Sequence, residues 1–479
     1  MQRRTFIATI SALTVAAFDP TRRSWLTAAE AAYPQAIPVP ELDGELTVDP
    51  EALAEAADDF GHIVSRAPIA VLRPASVKDI VKLVKYANRN GVKVAMRGQG
   101  HSTYGQAQVA GGIVIDSRTL AAIHEIEDDR VTVDAGVTWN ALLAATLARD
   151  LTPPVLTDYL DLSIGGTLSV GGIGGATHRK GMQVDNALAL DVVTGDGRLV
   201  QCSGRRNRAL FEAVLGGLGQ YGIIVGATLA LERAKKNARV YRLYYADLDQ
   251  YVADQTFLAE DARFDYLEGQ VLPNGAGGFQ YMVEAAVWFS PASRRSAPDD
   301  ASLLADLSFD TSSIEDLTYD GWLRRLEPTV AFLQQIGVWA FPHPWIDLLV
   351  PASEAADIAR LALASVSPDT QDPMLFYPFP RRKLTRPLFM VPDEPVIFLF
   401  DILRTAPPIP GVADSLVQLN RSIYDAAAAL GAKKYPISSI PFAVSDWQAH
   451  YGPQWAKVQV LKQAFDRNHT LTPGQGIFA

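Results

Sequence analysis

The sequence predicts an α+β protein built from two domains, the first a mixed α+β unit and the second an α/β unit. At 479 residues, the chain is too long for one hydrophobic core, and domains of about 150 residues would divide it into two or three units. Short apolar strands alternate with helical patterns up to about residue 235, after which tyrosine-rich and alternating strands follow. We therefore expect domains over residues 45–236 and 237–435.

The first domain opens with a strand, a helix and a second strand between Ile69 and Met96. Ser76 and Asp79 form a capping signature, after which apolar residues recur at helical spacing. Both strands lead towards the glycine-rich turn that follows. Further predicted elements are strands at 113–115, 131–133, 188–193, 223–231, 241–245 and 281–289, and helices near 316–336 and 353–366.

Charge and cysteine content exclude several kinds of protein. The net charge of −10 argues against a nucleic-acid partner, because phosphate binding needs clustered Lys and Arg. The single cysteine, Cys202, excludes an internal disulfide or a cysteine-rich metal site and is expected to be buried. The histidines include no pair at ligand spacing, so we predict no metal and expect a small-molecule substrate.

Residues 1–32 resemble a twin-arginine export signal. Arg3 and Arg4 precede an uncharged run from Thr5 to Phe18, and small residues follow. The run is too short for a stable membrane span. We expect an exported protein, periplasmic or secreted. The alternative is an N-terminal arm on a cytoplasmic protein.

A glycine-rich turn follows the strand that ends near Met96. It contains Gly98, Gln99, Gly100, His101 and Ser102. Glycines directly after a strand let backbone amides converge on an anion, so such a turn can hold a pyrophosphate. Taken alone, an exposed turn with an incidental histidine explains the segment equally well.

Most positions from Ser163 to Gly175 are glycine, serine or threonine. By propensity this composition argues against a stable helix or sheet interior and favours close approach of the backbone to a bulky ligand. A flexible linker fits less well, because apolar residues recur through the segment.

The segment Gly217–Gly222 matches the Gly-x-Gly-x-x-Gly pattern of dinucleotide-binding folds. A predicted helix precedes it and a strand follows, which reverses the order that such folds require. We reject that interpretation. The sequence also has no Gly-x-Ser-x-Gly elbow and no Walker loop, so hydrolase and ATPase functions lose their usual support.

Taken together, these segments resemble the FAD-linked oxidases of the vanillyl-alcohol oxidase type, and most closely the cytokinin dehydrogenases. The similarity extends from about residue 60 to the end of the chain. The motifs that carry it are the Gly-His-Ser turn, Thr157–Leu160, the Gly-Gly-Thr-Leu-Ser block, Leu210–Gly222, Pro342–Trp345 and Thr472–Phe478.

The resemblance implies a PCMH-type FAD-binding domain of two subdomains, with the α/β substrate domain inserted and residues 436–479 returning to the FAD domain. It implies a histidyl bond from His101 to FAD. The chain has no cysteine in the glycine-rich block, so a single covalent link is expected. Positions that match FAD-lining residues of the family are Gly98, Gln99, Gly100, His101, Ser102, Gln106, Asp158, Ser163, Ser169, Ile173, Ile223, Tyr435 and Gln475.

Asp158 matches the catalytic carboxylate of the family, and Glu268 resembles its second carboxylate. A base beside the flavin assists hydride loss by taking a proton from the substrate. A buried carboxylate near a second one tends to titrate higher, so Glu268 is expected to tune Asp158 in this way. Alternatively, Asp158 is a turn residue and Glu268 an ordinary strand residue.

Three positions depart from the cytokinin dehydrogenase pattern and leave the substrate open. Leu156 and Leu384 stand where the family commonly has tryptophan, and Pro436 replaces a leucine. We expect oxidation of an amine- or hydroxyl-bearing carbon, with oxygen or a quinone-like compound as electron acceptor. The alternatives are a secondary-metabolite or sugar/alcohol oxidase that uses oxygen and, more remotely, a non-catalytic flavin- or ligand-binding protein.

Overall fold

The structure is a computed structural model that describes residues 15–19, 24–27, 37–290, 297–370 and 372–478. Helices and strands are mixed along these ranges, which confirms the α+β class. The strands are β1 (Val15–Asp19), β2 (Ser24–Thr27), β3 (Ile37–Pro38), β4 (Glu45–Thr47), β5 (Ala70–Arg73), β6 (Val94–Arg97), β7 (Ile113–Asp116), β8 (Ile123–Ile126), β9 (Arg130–Asp134), β10 (Leu151–Thr152), β11 (Ala187–Val193), β12 (Leu199–Ser203), β13 (Ile223–Ala230), β14 (Glu232–Arg233), β15 (Asn237–Tyr245), β16 (Tyr266–Pro273), β17 (Phe279–Phe289), β18 (Thr311–Thr318), β19 (Ile346–Pro351), β20 (Met374–Pro380), β21 (Val396–Ile402) and β22 (Lys433–Lys434).

The α-helices of the described residues are α1 (Pro50–Ala56), α2 (Val77–Arg89), α3 (Trp139–Leu147), α4 (Ile164–Val170), α5 (Thr177–Lys180), α6 (Arg208–Val214), α7 (Leu248–Asp261), α8 (Asp300–Leu303), α9 (Tyr319–Leu323), α10 (Glu327–Gln335), α11 (Ala355–Leu363), α12 (Val412–Ala429), α13 (Val444–Tyr451) and α14 (Trp455–Phe465). None of them is long and apolar enough to cross a membrane.

Two larger sheets form the N-terminal half of the molecule, beside the small sheets β2-β1-β3 and β10-β14. The first has the order β4-β5-β7-β6, with β7 parallel to both β5 and β6. The second is antiparallel and has the order β12-β11-β13-β9-β8. The predicted strand, helix and strand between Ile69 and Met96 are β5, α2 and β6, and the Asp79 carboxylate accepts a hydrogen bond from the Ser76 amide at 3.3 Å.

The second half of the chain builds an antiparallel eight-stranded sheet with the order β18-β15-β17-β16-β20-β21-β19-β22. Helices α7, α11 and α12 cover one face, where their apolar side chains join those of Phe376, Phe398 and Phe400 in one core. The opposite face packs against the N-terminal half. We call this second face the inner face, and Tyr377, Leu399 and Leu349 belong to it.

The last residues of the chain return to the N-terminal sheets. The Val94 amide in β6 donates to the Thr470 carbonyl, and the Thr472 amide donates to the Val94 carbonyl, each at 2.8 Å. The segment 470–472 therefore extends the edge of the first sheet beside the glycine-rich turn. The domain limits 45–236, 237–435 and 436–479 remain sequence predictions.

One sequence expectation was wrong. The glycine-rich block contains a helix, α4, because tertiary contacts outweigh its poor propensity. The Gly165 amide donates to the Ala135 carbonyl at 2.8 Å, and the Trp139 indole donates to the Thr167 hydroxyl at 2.8 Å. The helical pattern near 316–336 is confirmed as two helices, α9 and α10, and the first begins at Tyr319 because the residues before it belong to β18.

The N-terminal expectation falls mostly outside the described residues, where Arg3 and Arg4 lie. The end of the uncharged run lies in strand β1 (Val15–Asp19), which pairs with β2. Phe18 packs into the core below the first sheet. Cys202 is buried, as predicted.

Candidate active site

The glycine-rich turn follows β6, and two of its glycines have no room for a side chain. A Cβ atom on Gly98 would lie 2.0 Å from the Ser163 hydroxyl, and a Cβ on Gly100 would lie 2.3 Å from the Arg97 guanidinium. Gly100 also has a φ of +69°, which L side chains rarely adopt. Only glycine therefore fits at both positions.

The turn presents unused hydrogen-bond donors. Within the described residues, the backbone amides of Gln99 to Ser102 have no protein acceptor. Two carbonyls of the turn, by contrast, accept hydrogen bonds. The Phe60 amide donates to the Gly100 carbonyl at 2.8 Å, and the Gly61 amide donates to the Ser102 carbonyl at 3.2 Å. Successive free amides on a glycine turn form an anion-binding concavity, which fits the pyrophosphate of FAD.

The buried Asp59 carboxylate stabilises this turn through hydrogen bonds. Its carboxylate accepts hydrogen bonds from the Gly105 amide at 2.7 Å, the Gly61 amide at 3.1 Å and the Ser102 hydroxyl at 3.2 Å. Burial raises the pKa of Asp59 to about 6, against these hydrogen bonds. The sequence did not single out Asp59, because nothing before the turn marks it as a partner.

His101 lies in a stack of aromatic rings. Its imidazole centroid is 4.1 Å from the Phe60 ring and 4.7 Å from the Tyr159 ring, and both rings are nearly parallel to it. Trp345 meets it edge-on at 5.6 Å. Burial and the charge of His343 lower the pKa of His101 to about 3. The imidazole is therefore neutral at physiological pH and keeps a nitrogen lone pair.

Asp158 stands beside Tyr159 and belongs to a four-residue cluster with Tyr266, Glu268 and Arg325. Its Oδ1 accepts hydrogen bonds from the Tyr266 hydroxyl and from Arg325 Nη2, both at 2.6 Å. The same Nη2 lies 3.3 Å from Glu268 Oε2. Tyr266 and Glu268 come from β16, whereas Arg325 lies between α9 and α10.

The cluster fixes which of the two carboxyls keeps the proton. Burial acts to raise the pKa of Asp158, but the Arg325 charge and hydrogen bonds from Glu268 and Tyr266 outweigh it and hold this pKa below its usual range. Burial and the Asp158 charge raise the pKa of Glu268 well above its usual range. At neutral pH, Asp158 is the anion and Glu268 the acid that donates to it.

Arg325 was not predicted from the sequence, although it decides the charge state of the cluster. Its guanidinium stacks over the Trp322 ring at 4.2 Å, and Nε lies 3.8 Å from Glu284, which in turn pairs with Arg242. Burial opposes the charged form, but Asp158 and the neighbouring groups raise the pKa of Arg325 well above its usual value. Arg325 is thus a permanent cation here.

A cavity of about 130 Å³ opens beside Asp158. Tyr159 and Leu160 form one wall, and Leu326 and Val330 at the start of α10 form another. Exposed Glu327 and Gln334 also line the cavity, so it opens to the surface beside Asp158.

The structure brings most of the remaining predicted residues towards the turn. The Gln106 amide donates to the carbonyls of Ile437 and Ser438, just after Tyr435. The Tyr435 hydroxyl lies 3.4 Å from the Gly172 amide, next to Ile173. Gln475 belongs to the returning C-terminal segment, and its carbonyl accepts from the Trp447 indole at 3.1 Å.

Three other predicted residues take mainly structural positions in the described protein. Ser163 precedes α4 and contacts the turn at Gly98. The Ser169 hydroxyl donates to the Gly165 carbonyl within α4 at 2.7 Å. The Ile223 side chain is buried in the core below the first sheet. Their assignment to FAD therefore remains a prediction.

Leu156 and Leu384, where the family commonly has tryptophan, both contact the central core. Leu156 is buried and Leu384 half-buried, and Pro436 is buried next to Tyr435. Side chains smaller than tryptophan at the first two positions provide less flat surface for a planar ring.

Two family models match the chain. Residues 68–203 match an FAD binding domain, and residues 272–478 match the domain described as cytokinin dehydrogenase 1, FAD and cytokinin binding. The free amides, the absent Cβ atoms and the neutral imidazole of the turn agree with this cofactor.

Whole-length relatives agree with the domain matches. An oxidoreductase named ORF5 in the fasciation locus of Rhodococcoides fascians is 36% identical over 90% of this chain and 99% of its own length. Cytokinin dehydrogenase 6 of Oryza sativa subsp. japonica is 35% identical over 91% of this chain and 92% of its own. Cytokinin dehydrogenase 2 of Arabidopsis thaliana is 34% identical over 91% of this chain and 94% of its own length. The chain thus belongs to the cytokinin dehydrogenase family of FAD-dependent oxidoreductases.

Proposed function

We propose that this enzyme oxidises the carbon next to a secondary amine, with an N6-substituted adenine as the leading substrate class, and that FAD is bonded to it once, through His101. The observation that carries this proposal is the Asp158 carboxylate, whose Oδ1 accepts hydrogen bonds from Tyr266 and Arg325 in one cluster with Glu268. Arg325 and these hydrogen bonds hold the pKa of Asp158 below its usual range, so the group is an anion that can take a proton from a substrate nitrogen. Membership of the family supports the choice of an amine.

The flavin, when bound, accepts the hydride that leaves the substrate carbon. Asp158 takes the proton from the substrate N–H, so that the substrate loses one hydride and one proton and a C=N bond forms. Tyr266 and Arg325 both donate to Asp158 Oδ1, which fixes the orientation of the base. Protonated Glu268 donates a hydrogen bond to Asp158 and so adds no second negative charge beside it.

The packing of His101 supports the single covalent link. Its neutral imidazole provides the nucleophilic lone pair, and the parallel rings of Phe60 and Tyr159 fix its plane. With FAD bound, the lone pair of His101 would form a bond to a methyl carbon of the flavin. The methyl group would lose one hydrogen and the imidazole would lose the proton of its other nitrogen, and the two electrons would pass through the reduced flavin to its electron acceptor.

Acid precipitation tests the link directly. We expect a yellow pellet from the wild type and a colourless pellet with yellow supernatant from His101→Ala. The matched control is His124→Ala, which changes an exposed histidine of β8 and should leave the pellet yellow. A colourless wild-type pellet would refute the covalent bond.

Anaerobic mixing tests the activity. An N6-alkenyl adenine should bleach the flavin absorption band of the wild type, and Asp158→Asn should slow the bleaching strongly. If adenines leave the flavin oxidised while small alcohols or sugars reduce it, the enzyme is an alcohol oxidase instead. Leu156 and Leu384 favour this second candidate, since they remove the aromatic surface that an adenine would stack on.

We also propose export through the twin-arginine route, supported by Arg3, Arg4 and the uncharged run that follows. Expression in a host with this pathway should give a mature protein that lacks Met1. Mass spectrometry of the N-terminus measures this, and an intact N-terminus together with a cytoplasmic protein would contradict the proposal.

A further inference from the structure

A second cavity, of about 230 Å³, shares no lining residue with the cavity beside Asp158. On one side it is lined by Thr152 of β10 and Arg233 of β14, and on the other by Trp288 of β17 and Tyr319 of α9. It therefore lies where the N-terminal half meets the eight-stranded sheet. A cavity of about 150 Å³ in another protein holds benzene, so a molecule of one or two rings has room here.

Two aromatic side chains in the wall of this cavity are held in place. The Trp288 ring meets the Tyr319 ring edge-on at 5.1 Å, and the Tyr319 hydroxyl lies 3.0 Å from the Thr152 hydroxyl. The Trp288 amide donates to Asp265 Oδ2 at 2.7 Å. Trp288 is only half-buried, so part of its side chain is accessible. A preformed aromatic wall favours a ligand with a flat ring.

The acidic residues of the wall already have cationic partners. Lys180 pairs with Glu232, and Arg179 pairs with Asp265 Oδ1. Both carboxylates are therefore neutralised by the protein itself, and neither is left to select a cationic ligand.

Two basic residues of the wall remain available to an anion. Within the described residues, the Lys235 side chain has no ion-pair or hydrogen-bond partner. Arg233 lies 3.1 Å from Asp128, but these side chains are 66% and 90% exposed. Such an exposed pair contributes little, so the Arg233 guanidinium can turn to a ligand at small cost. The rim of the cavity is thus positive where its charges are free.

We propose that this cavity binds a small aromatic carboxylate, with its ring against Trp288 and its anionic group at Arg233 and Lys235. The binding is non-covalent and separate from the substrate site. The Trp288 ring also contacts the Tyr266 ring at 6.0 Å, and the Tyr266 hydroxyl donates to Asp158. One aromatic ring therefore separates the bound ligand from the catalytic cluster.

The test compares 2-naphthoate with 2-naphthamide, its neutral analogue of the same shape. Isothermal titration calorimetry on the FAD-loaded enzyme at low ionic strength gives both dissociation constants. The wild type should bind the carboxylate about three- to tenfold more tightly, as expected for two partly solvated ion pairs. The double variant Arg233→Gln/Lys235→Gln should bind both compounds equally, and its fold should be unaffected because both side chains are exposed.

The matched control is Lys236→Gln. This neighbouring lysine pairs with Asp150 and does not line the cavity, so the variant should keep the wild-type preference for the carboxylate. A second variant, Trp288→Leu, should weaken binding of both compounds by about two- to tenfold through the loss of ring contacts. Its melting temperature shows whether it is folded, and the double charge variant decides the proposal if it is not.

Three results would overturn the inference, and none of them depends on turnover of any substrate. The first is a wild type that binds no naphthoate at millimolar concentrations, or binds it no more tightly than the amide. The second is a carboxylate preference that survives in Arg233→Gln/Lys235→Gln, which would place the ligand elsewhere on the protein. The third is an equal loss of the preference in Lys236→Gln, which would reduce it to the general charge of the surface.

Discussion

Replacing Asp158 by Asn tests the assignment of the base most directly. The amide cannot take a proton, and loss of a general base slows reactions by about 10²–10⁴-fold, which corresponds to about 3–5 kcal/mol in the barrier. We expect anaerobic flavin reduction to slow at least about a hundredfold. Bound FAD should remain, because the turn around His101 does not depend on the Asp158 charge.

The fold should survive this change because the cluster can redistribute its charge. Without the Asp158 anion, the pKa of Glu268 falls, and Glu268 can ionise beside Arg325, 3.3 Å away. The buried cation therefore keeps a partner. Stopped-flow absorption of the flavin measures the rate, and far-UV circular dichroism checks the fold.

The matched control for this variant is Asp161→Asn, at an exposed carboxylate that pairs with the Asn140 amide at 2.9 Å. It should leave flavin reduction unchanged. An Asp158→Asn enzyme that reduces its flavin at the wild-type rate would refute the role of Asp158. A variant that has lost FAD would show instead that the carboxylate supports the cofactor site.

Three further predictions follow from the charge states of the site. Glu268→Gln should keep flavin reduction within about tenfold of wild type, since the amide replaces a protonated acid that donates to Asp158; a loss as large as that of Asp158→Asn would make Glu268 the base. In Arg325→Met, Asp158 loses its positive partner, so the acid limb of the pH–rate profile should move up by about one pH unit or more. The control Arg324→Met should leave the profile unchanged. A wild-type profile in Arg325→Met would contradict the role of Arg325. Asp59 binds its proton more tightly in the folded state than in the unfolded state. It therefore makes the free energy of unfolding fall by up to about 3 kcal/mol as the pH rises from about 4 to 6. Urea titrations of Asp59→Asn should lack this part of the pH dependence, and an identical pH dependence in both proteins would refute the pKa shift.

Local sequence signals predicted a minority of the described elements and the first members of the site. The strand, helix and strand around α2, the turn at His101 and the Asp158 and Glu268 carboxyls were all recognisable from short segments or from the family resemblance. Each depends on residues that lie close together in the chain. The folded structure then adds the contacts between these segments, which short segments do not encode.

The missed residues show where that limit lies. Arg325 is 167 positions from Asp158, and its segment reads as an ordinary helical pattern. Helix α4 was missed for a similar reason, since its support comes from Ala135 and Trp139, which lie outside the glycine-rich block.

The distribution of charge on the inner face explains why the site keeps one base. Arg325 pairs with Asp158 and Arg242 pairs with Glu284, so each of these carboxylates has its own cation. The Asp158 charge and burial keep the proton on Glu268, whose pKa lies well above its usual range. A single ordered carboxylate therefore faces the substrate, which is why replacement of Asp158 should cost far more activity than replacement of Glu268.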